Sequence, residues 1–342
     1  MDVAITDEQA MLVDLAAGVA AEAAGRWALG RAPSDAAGAT DGRDVKLVAE
    51  AGLYGLRHGD VDLQARWTDV CLVAEQFGRH LAPVPFLGPV LALEALQYAG
   101  ADDELIAEVA SGQRLMTMAV TADLTAFAGP ADDALAWDAA GVSSALVLAP
   151  RMLAHHGVER SVPTVDFTRS TATLSTTSQD CAATSGITDE ARDRLTAMAM
   201  TAVAADLLGI MGAALDSAVE HAKIRRQFGV AIGSFQAVQH LLADALVSVE
   251  ATRSAVWYAG WAVETLAVGD ALQAARTAKA FASSVGVEVV EAAMQVFGGM
   301  SQTWESPCHL WLRRVRLDRQ LFGDEQVQFD ALASAETGNG VR

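Results

Sequence analysis

The sequence predicts an α+β protein in which helices and strands are segregated along the chain. Of the 342 residues, 52% are hydrophobic and only 6% are aromatic, and this alanine-rich composition suits closely packed helices. Apolar residues recur at helical spacing near both ends, whereas short apolar runs separated by turn formers fill the middle. We therefore predict an N-terminal α-helical domain (1–113), a small, reduced β domain (114–186) and a C-terminal long-helix (four-helix) bundle (187–342).

The N-terminal domain is predicted from helical stretches joined by a loop and a proline-rich link. Thr6 is suited to cap a first helix that reaches about residue 24, with Asp7 and Glu8 in its first turn. Residues 25–42 are rich in Gly, Pro and Ser and predict a loop. Residues 81–89 are expected to be extended, because proline blocks helix for itself and disfavours it for its predecessor. The other predicted helices are 44–56, 69–81, 89–99 and 102–111.

The middle of the chain changes character and predicts strands. Its apolar runs are short, partly alternating and bounded by turn formers. The predicted strands are 115–120, 145–149, 162–167 and 171–175.

Helical periodicity returns at Thr188 and continues almost to the end of the chain. Val238, Leu242 and the apolar residues that follow them mark one face of a long helix. Residues 197–215 approach the length of a membrane span, but Asp206 lies in the middle of this run and glycines follow it. We predict a helix buried in the bundle and no association with a membrane.

Charge and cysteine content exclude several classes of protein. The formal net charge is −19, and so acidic a surface repels nucleic acid and anionic lipid. Cys71, Cys181 and Cys308 are far apart and show no metal-ligand spacing, so neither a disulfide framework nor a metal site is indicated. The first residues lack the basic flank and apolar core of a signal peptide, and we expect a cytoplasmic protein.

The positive charge is concentrated in two short islands. They hold seven of the 24 basic residues, namely Lys223, Arg225 and Arg226, then Arg313, Arg314, Arg316 and Arg319. Such islands in an acidic chain suit local anion binding, since guanidinium groups bind phosphate oxygens in pairs. Ion pairs and charges at helix C-termini are the alternative explanation.

The first island belongs to a motif that resembles a known family. Arg-Arg-Gln-Phe-Gly at 225–229 is followed by Phe-Gln at 235–236, and Gln-Val-Phe-Gly-Gly at 295–299 precedes Arg313. This combination resembles the C-terminal domain of acyl-CoA dehydrogenases. The segments 78–85 and 166–169 resemble sequences of the actinobacterial branch of that family. The resemblance covers nearly the whole chain.

The resemblance implies a flavoprotein that desaturates acyl-CoA thioesters. A Glu removes the α-proton while FAD takes a hydride from the β-carbon, and each FAD lies across a subunit interface. Carried over by position, Arg225, Gln227 and Phe228 would contact the pyrophosphate and flavin edge, and Gln295 with Gly298 and Gly299 would approach the adenosine. The implied cofactor-binding set is Arg225, Gln227, Phe228, Gln236, Gln295, Gly298 and Gly299.

The sequence departs from the family where the chemistry should occur. The two positions at which relatives carry the catalytic Glu hold Phe322 and Ala199, and neither can accept a proton. Asp324 and Glu325 are weak candidates for a relocated base, with a solvated loop carboxylate as the alternative. The β domain also lacks the Thr-Glu-Pro and Trp-Ile-Thr motifs that surround the flavin in the family. Trp137 does not match the second motif, because it occurs too early in the sequence and no Thr follows it at the required spacing.

The sequence retains the motifs expected to contact FAD but lacks the catalytic Glu and the flavin-loop motifs. This pattern favours the degenerate subunit of a heteromeric acyl-CoA dehydrogenase. This subunit would be similar to those of the α2β2 enzymes that act on steroid side-chain CoA esters, and its catalytic partner would supply the base. Two alternatives stay open, namely a homomeric dehydrogenase that uses Glu325 or Asp324, and a flavin-free scaffold or regulatory subunit.

Overall fold

The structure is a computed structural model that describes residues 4–25, 42–59, 65–149, 152–180 and 186–338, with the backbone alone at 149, 152, 176–180 and 336–338. It confirms the predicted fold class, with helices, then a small β unit, then a bundle of long helices. Nearly all of the predicted loop at 25–42 lies outside the described residues, as does Cys181. Cys71 and Cys308 are buried and free.

The N-terminal helices are α1 (Asp7–Gly25), α2 (Gly42–Glu50), α3 (Trp67–Arg79), α4 (Leu87–Tyr98) and α5 (Asp103–Ala110). Thr6 caps α1 as predicted, because the Gln9 backbone N–H donates to Thr6 Oγ1 at 3.2 Å and the Thr6 N–H donates to Gln9 Oε1 at 3.1 Å. The proline-rich link is shorter than predicted. Helix α4 already begins at Leu87 and holds Pro89 in its first turn, where a missing N–H breaks no helical hydrogen bond.

Five strands close into a barrel in the order β1-β2-β5-β4-β3. They are β1 (Met116–Thr121), β2 (Ala134–Trp137), β3 (Ser144–Ala149), β4 (Met152–Val162) and β5 (Thr171–Asp180). The sequence did not predict β2 or β4, and the strand predicted at 162–167 is wrong beyond Val162. Strand β4 lacks a continuous apolar pattern, because two histidines and a glycine lie in its middle and the exposed residues Glu159, Arg160 and Ser161 lie near its end. The chain turns after it, where Asp166 Oδ1 accepts hydrogen bonds from the N–H and hydroxyl of Thr168.

The bundle consists of α6 (Asp189–Ile224), α7 (Gln236–Thr265), α8 (Val268–Phe297), α9 (Cys308–Gln320) and α10 (Glu325–Gly338). Helix α6 packs against α3, α7 and α8, and Thr188 caps it by accepting from the Ala191 N–H at 3.1 Å. Two segments, α6 and Val268–Gln302, are long and apolar enough to cross a membrane, but 94% of the apolar window of α6 is buried within the protein. Its apolar surface therefore serves the core.

Helices α3 and α6 approach closely where each presents a glycine. A Cβ atom at Gly209 would lie 1.9 Å from the backbone O of Glu75, and one at Gly78 would lie 2.2 Å from the backbone O of Asp206. Any larger side chain at either position would force the two backbones apart. This crossing fixes the part of α6 that carries Asp206 against the N-terminal domain.

Candidate functional site

Phe322, the first of the two positions where the sequence comparison predicts a catalytic Glu, lies buried between the bundle and the β barrel. It occupies the turn between α9 and α10 with φ 59°, and only 2% of it is exposed. Its ring meets Phe127 edge-on with 4.8 Å between centroids and Trp137 edge-on with 5.9 Å. Its backbone N–H donates to Leu124 O at 2.7 Å. The loop after β1 thus closes directly on Phe322.

A buried lysine donates hydrogen bonds to the backbone of the turn that carries Phe322. Lys279 Nζ in α8 donates to the backbone oxygens of Arg319 and Gly323, both at 2.9 Å, and contacts Ser283 Oγ at 2.7 Å. Burial lowers the pKa of Lys279 to about 7. Gln328 adds a hydrogen bond from its side-chain amide to Phe322 O. The backbone on both sides of Phe322 is therefore fixed.

The other candidate base positions serve local structure. Ala199 is fully buried in α6. Asp324 Oδ1 accepts from the Val327 N–H at 3.1 Å and so caps α10. Glu325 forms a two-point ion pair with Arg319, with Nε at 2.8 Å from Oε2, and this pairing lowers the pKa of Glu325. A carboxylate held in this way is a weaker base than a free one.

Trp137 is a site residue that the sequence prediction set aside. It ends β2, is fully buried and faces Phe322. The guanidinium of Arg169 lies 5.2 Å from the centre of its ring. Trp137 is the single tryptophan between residues 114 and 186. This is the one feature of the sequence that could have indicated its place at this site.

A buried cluster of charges lies beside the aromatic residues and joins the barrel to the bundle. Arg314 Nε lies 3.0 Å from Asp206 Oδ2, and Arg169 Nη2 lies 3.2 Å from Asp206 Oδ1. Asp166 and Asp318 complete the cluster, at 3.4 Å from Arg314 and 3.5 Å from Arg169 respectively. Burial opposes ionisation, but the two guanidiniums hold the pKa of Asp206 below its usual range, whereas burial raises the pKa of Asp318 well above it. A protonated Asp318 leaves two cations facing two anions.

The Arg-Arg-Gln-Phe-Gly motif forms an exposed hairpin between α6 and α7. Its strands are Arg226–Gln227 (β6) and Val230–Ala231 (β7). Phe228 at the tip is 93% exposed and adopts φ 53°, while Gly229 adopts φ 84°. Neither Arg225 nor Arg226 has an ion-pair partner within the described part of the chain.

The Gln-Val-Phe-Gly-Gly motif ends α8 at the same end of the bundle. Phe297 stacks on His221, in the last turn of α6, with 4.6 Å between ring centroids. Gln295, Gly298 and Gly299 are exposed, and a Cβ atom at either glycine would meet nothing within 4 Å. Gln236 is the exposed first residue of α7. The structure therefore brings the two motifs to one open surface.

Ion pairing accounts for much of the predicted basic islands. Arg314 is buried in the charge cluster, Arg319 pairs with Glu325, and two exposed pairs are Arg316–Glu291 at 3.2 Å and Lys223–Glu220 at 2.6 Å. Arg225, Arg226 and Arg313 have no carboxylate partner among the described residues. The described part of the chain also holds no group of three or more His, Cys, Asp or Glu side chains placed to bind a metal ion.

Comparison with known proteins identifies the family. The family described as "Acyl-CoA dehydrogenase, C-terminal domain" matches residues 191–336. The acyl-CoA dehydrogenase IpdE2 of Mycolicibacterium smegmatis is 30% identical over 266 residues, which are 77% of this chain and 77% of that protein. The chain belongs to the acyl-CoA dehydrogenase family. Solved structures with the same fold include the ChsE4-ChsE5 complex from Mycobacterium tuberculosis (TM-score 0.81, 21% identity, 98% and 99% of the two chains covered) and a steroid acyl-CoA dehydrogenase, the Tcur3481-Tcur3483 G363A variant (0.81, 23%, 99% and 100%).

Acyl-CoA dehydrogenases bind FAD, and the residues of this chain fit that cofactor at one place better than at another. The open end of the bundle offers two guanidiniums without carboxylate partners and glycine backbone with free space around it, which suits a pyrophosphate. At the Phe322 site, close-packed aromatic rings fill the space, so this site fits the cofactor less well.

Proposed function

We propose that this chain is a subunit of a heteromeric, FAD-dependent acyl-CoA dehydrogenase that lends flavin contacts to a catalytic partner and supplies no base of its own. The burial of Phe322 against Phe127 carries this proposal. A general base must reach the proton that it removes, and here a phenyl ring fills the expected position inside the core. The base would then come from a homologous partner subunit.

The residues that would act in trans lie on the open end of the bundle. Arg225 would bind pyrophosphate oxygens in bidentate fashion, Gln227 and Phe228 would lie along the flavin edge, and Gly298 with Gly299 would allow close approach of the adenosine end. Gln236 and Gln295 would complete the set. FAD would supply the hydride acceptor for the desaturation, and the residues of this chain would hold it in place.

The substrate and assembly follow from the relatives by analogy. ChsE4-ChsE5 is a complex and Tcur3481-Tcur3483 is named as a steroid enzyme, so we propose a cytoplasmic α2β2 heterotetramer acting on a steroid side-chain CoA ester. An interface at the hairpin would also cover Phe228, which is now almost wholly exposed.

The test is the visible absorption spectrum of the chain purified alone and after co-expression with its proposed partner. We expect a colourless lone chain and a yellow complex that is bleached by acyl-CoA without oxygen. Arg225→Ala in this chain should lower the flavin content of the complex, whereas Arg66→Ala, at another exposed arginine, should not. A lone chain that is yellow and bleached by acyl-CoA would refute the proposal and direct attention to Asp324 and Glu325.

A further inference from the structure

A cavity of about 400 Å³ lies between the β4–β5 loop, the end of α8 and the start of α9. Cavities of this size hold small ligands. Its lining residues are Val165, Met294, Ser301, Gln302, Thr303, Trp304, His309, Leu312, Arg313 and Arg316, and they include no carboxylate. In a chain of net charge −19, a lining with two arginines and no carboxylate carries an unusual local positive charge, although Glu291 lies beside it, 3.2 Å from Arg316.

Arg313 is the central cation of this cavity. Its guanidinium lies 4.2 Å from the centre of the Phe167 ring, and its Nη1 donates to Val165 O at 3.2 Å. Its Nε is buried and has no hydrogen-bond partner among the described residues. Arg316 adds a second guanidinium, whose pairing with Glu291 is exposed and therefore weak. An acceptor brought by a ligand would be stabilised here.

Two aromatic side chains, Trp304 and His309, line the same cavity as the arginines. Trp304 is 45% exposed and stacks on Phe167 with 6.4 Å between centroids. His309 meets the Trp304 ring edge-on at 4.8 Å, and its Nδ1 is buried without a hydrogen-bond partner in the described structure. A planar ring can lie against Trp304 while a group attached to it reaches the arginines.

We propose that this cavity binds a planar aromatic ring that carries an anionic group. The ring would pack on Trp304, and the anion would accept hydrogen bonds from Arg313 and Arg316. Two sources share this chemistry, namely a nucleoside monophosphate and an arene carboxylate. The site uses none of the residues proposed to hold FAD, so it can exist whether or not the proposed function holds.

The test is isothermal titration calorimetry on the full chain, or on its complex if the chain is soluble only with a partner. Adenosine monophosphate and indole-3-acetate are the two probes, and adenosine and inorganic phosphate each supply half of the chemistry. We expect one or both probes to bind at least about tenfold more tightly than adenosine or phosphate, because ring and anion are held together. Tighter binding of one probe identifies the source.

Variants locate the site. Arg313→Met and Trp304→Leu should each weaken binding by about tenfold or more. Arg66→Met is the matched control, because Arg66 lines a different cleft beside Trp257 and Trp261; it should leave affinity within about twofold. Absence of saturable binding by both probes, or equal losses in Arg313→Met and Arg66→Met, would overturn the proposal. Circular dichroism of each variant separates lost binding from lost folding.

Discussion

The ring of Phe322 in the bundle lies edge-on to that of Phe127 in the barrel, with 4.8 Å between centroids and 67° between planes. Phe322→Ala would leave a cavity between the two domains, because the turn that carries it is fixed by Lys279. We expect the free energy of unfolding to fall by about 3–5 kcal/mol in urea denaturation.

The matched control is Phe329→Ala on the next helix, where the phenylalanine is 50% exposed. This change should cost less than about 0.5 kcal/mol. Similar losses for the two variants would show that Phe322 is no more part of the core than a surface residue, and the argument for a missing base would weaken with it.

The buried charge cluster makes a second prediction. Arg314→Met would remove the ion pair of Asp166 and would leave Asp206 paired with Arg169 alone. An uncompensated buried charge is costly. We expect a loss of about 3–5 kcal/mol in the free energy of unfolding. Arg316→Met, two residues along the same helix, removes an exposed pair and should cost no more than about 1 kcal/mol. A small effect of Arg314→Met would mean that the cluster is hydrated and not buried.

The lowered pKa of Lys279 should make the free energy of unfolding depend on pH. Its pKa is about 7 in the folded chain against an ordinary value of 10.5, so between these values the unfolded chain binds more protons than the folded one. Stability therefore rises with pH in this window, with a slope of at most about 1.4 kcal/mol per pH unit. Below about pH 7 both states are protonated and the contribution is flat.

The check is urea denaturation of the wild type and of Lys279→Met at several pH values from 6 to about 10. The difference in unfolding free energy between the two proteins should shift in favour of the wild type as the pH rises. A difference that is constant across the range would show that Lys279 keeps its proton throughout, held by the backbone oxygens of Arg319 and Gly323.

The sequence predicts the parts of this molecule that are periodic or local. Helical periodicity from Thr188 and the apolar run at 197–215 predict a buried helix, and α6 begins at Asp189. The two motifs that resemble acyl-CoA dehydrogenases are visible in the sequence because each is contiguous. Strand β4 was missed because its outward residues are polar. Lys279 and Asp318 were not singled out, because burial of a charged side chain depends on partners that are distant in the chain. Trp137 was discounted for its spacing, yet the barrel carries it to Phe322.

The last prediction concerns Phe228, whose backbone conformation is strained in the isolated chain. A phenylalanine in the left-handed region loses about 1–2 kcal/mol, and Phe228 adopts φ 53°. It meets Phe235 edge-on with 6.2 Å between ring centroids, but because 93% of it is exposed, this contact buries little apolar surface. Phe228→Gly removes the strain, while the added freedom of glycine in the unfolded state costs about 0.5–1 kcal/mol. The unfolding free energy of the lone chain should therefore stay unchanged or rise slightly.

The flavin content of the assembled complex should nevertheless fall in Phe228→Gly, because strained residues persist where a binding partner uses them. Phe329→Ala serves as the control for loss of an exposed ring and should leave the flavin content unchanged. Flavin is measured from the visible absorption of the complex relative to its protein absorption. If Phe228→Gly destabilised the lone chain and left the complex fully yellow, Phe228 would be a folding residue of the hairpin, and its role at the partner's flavin would have to be abandoned.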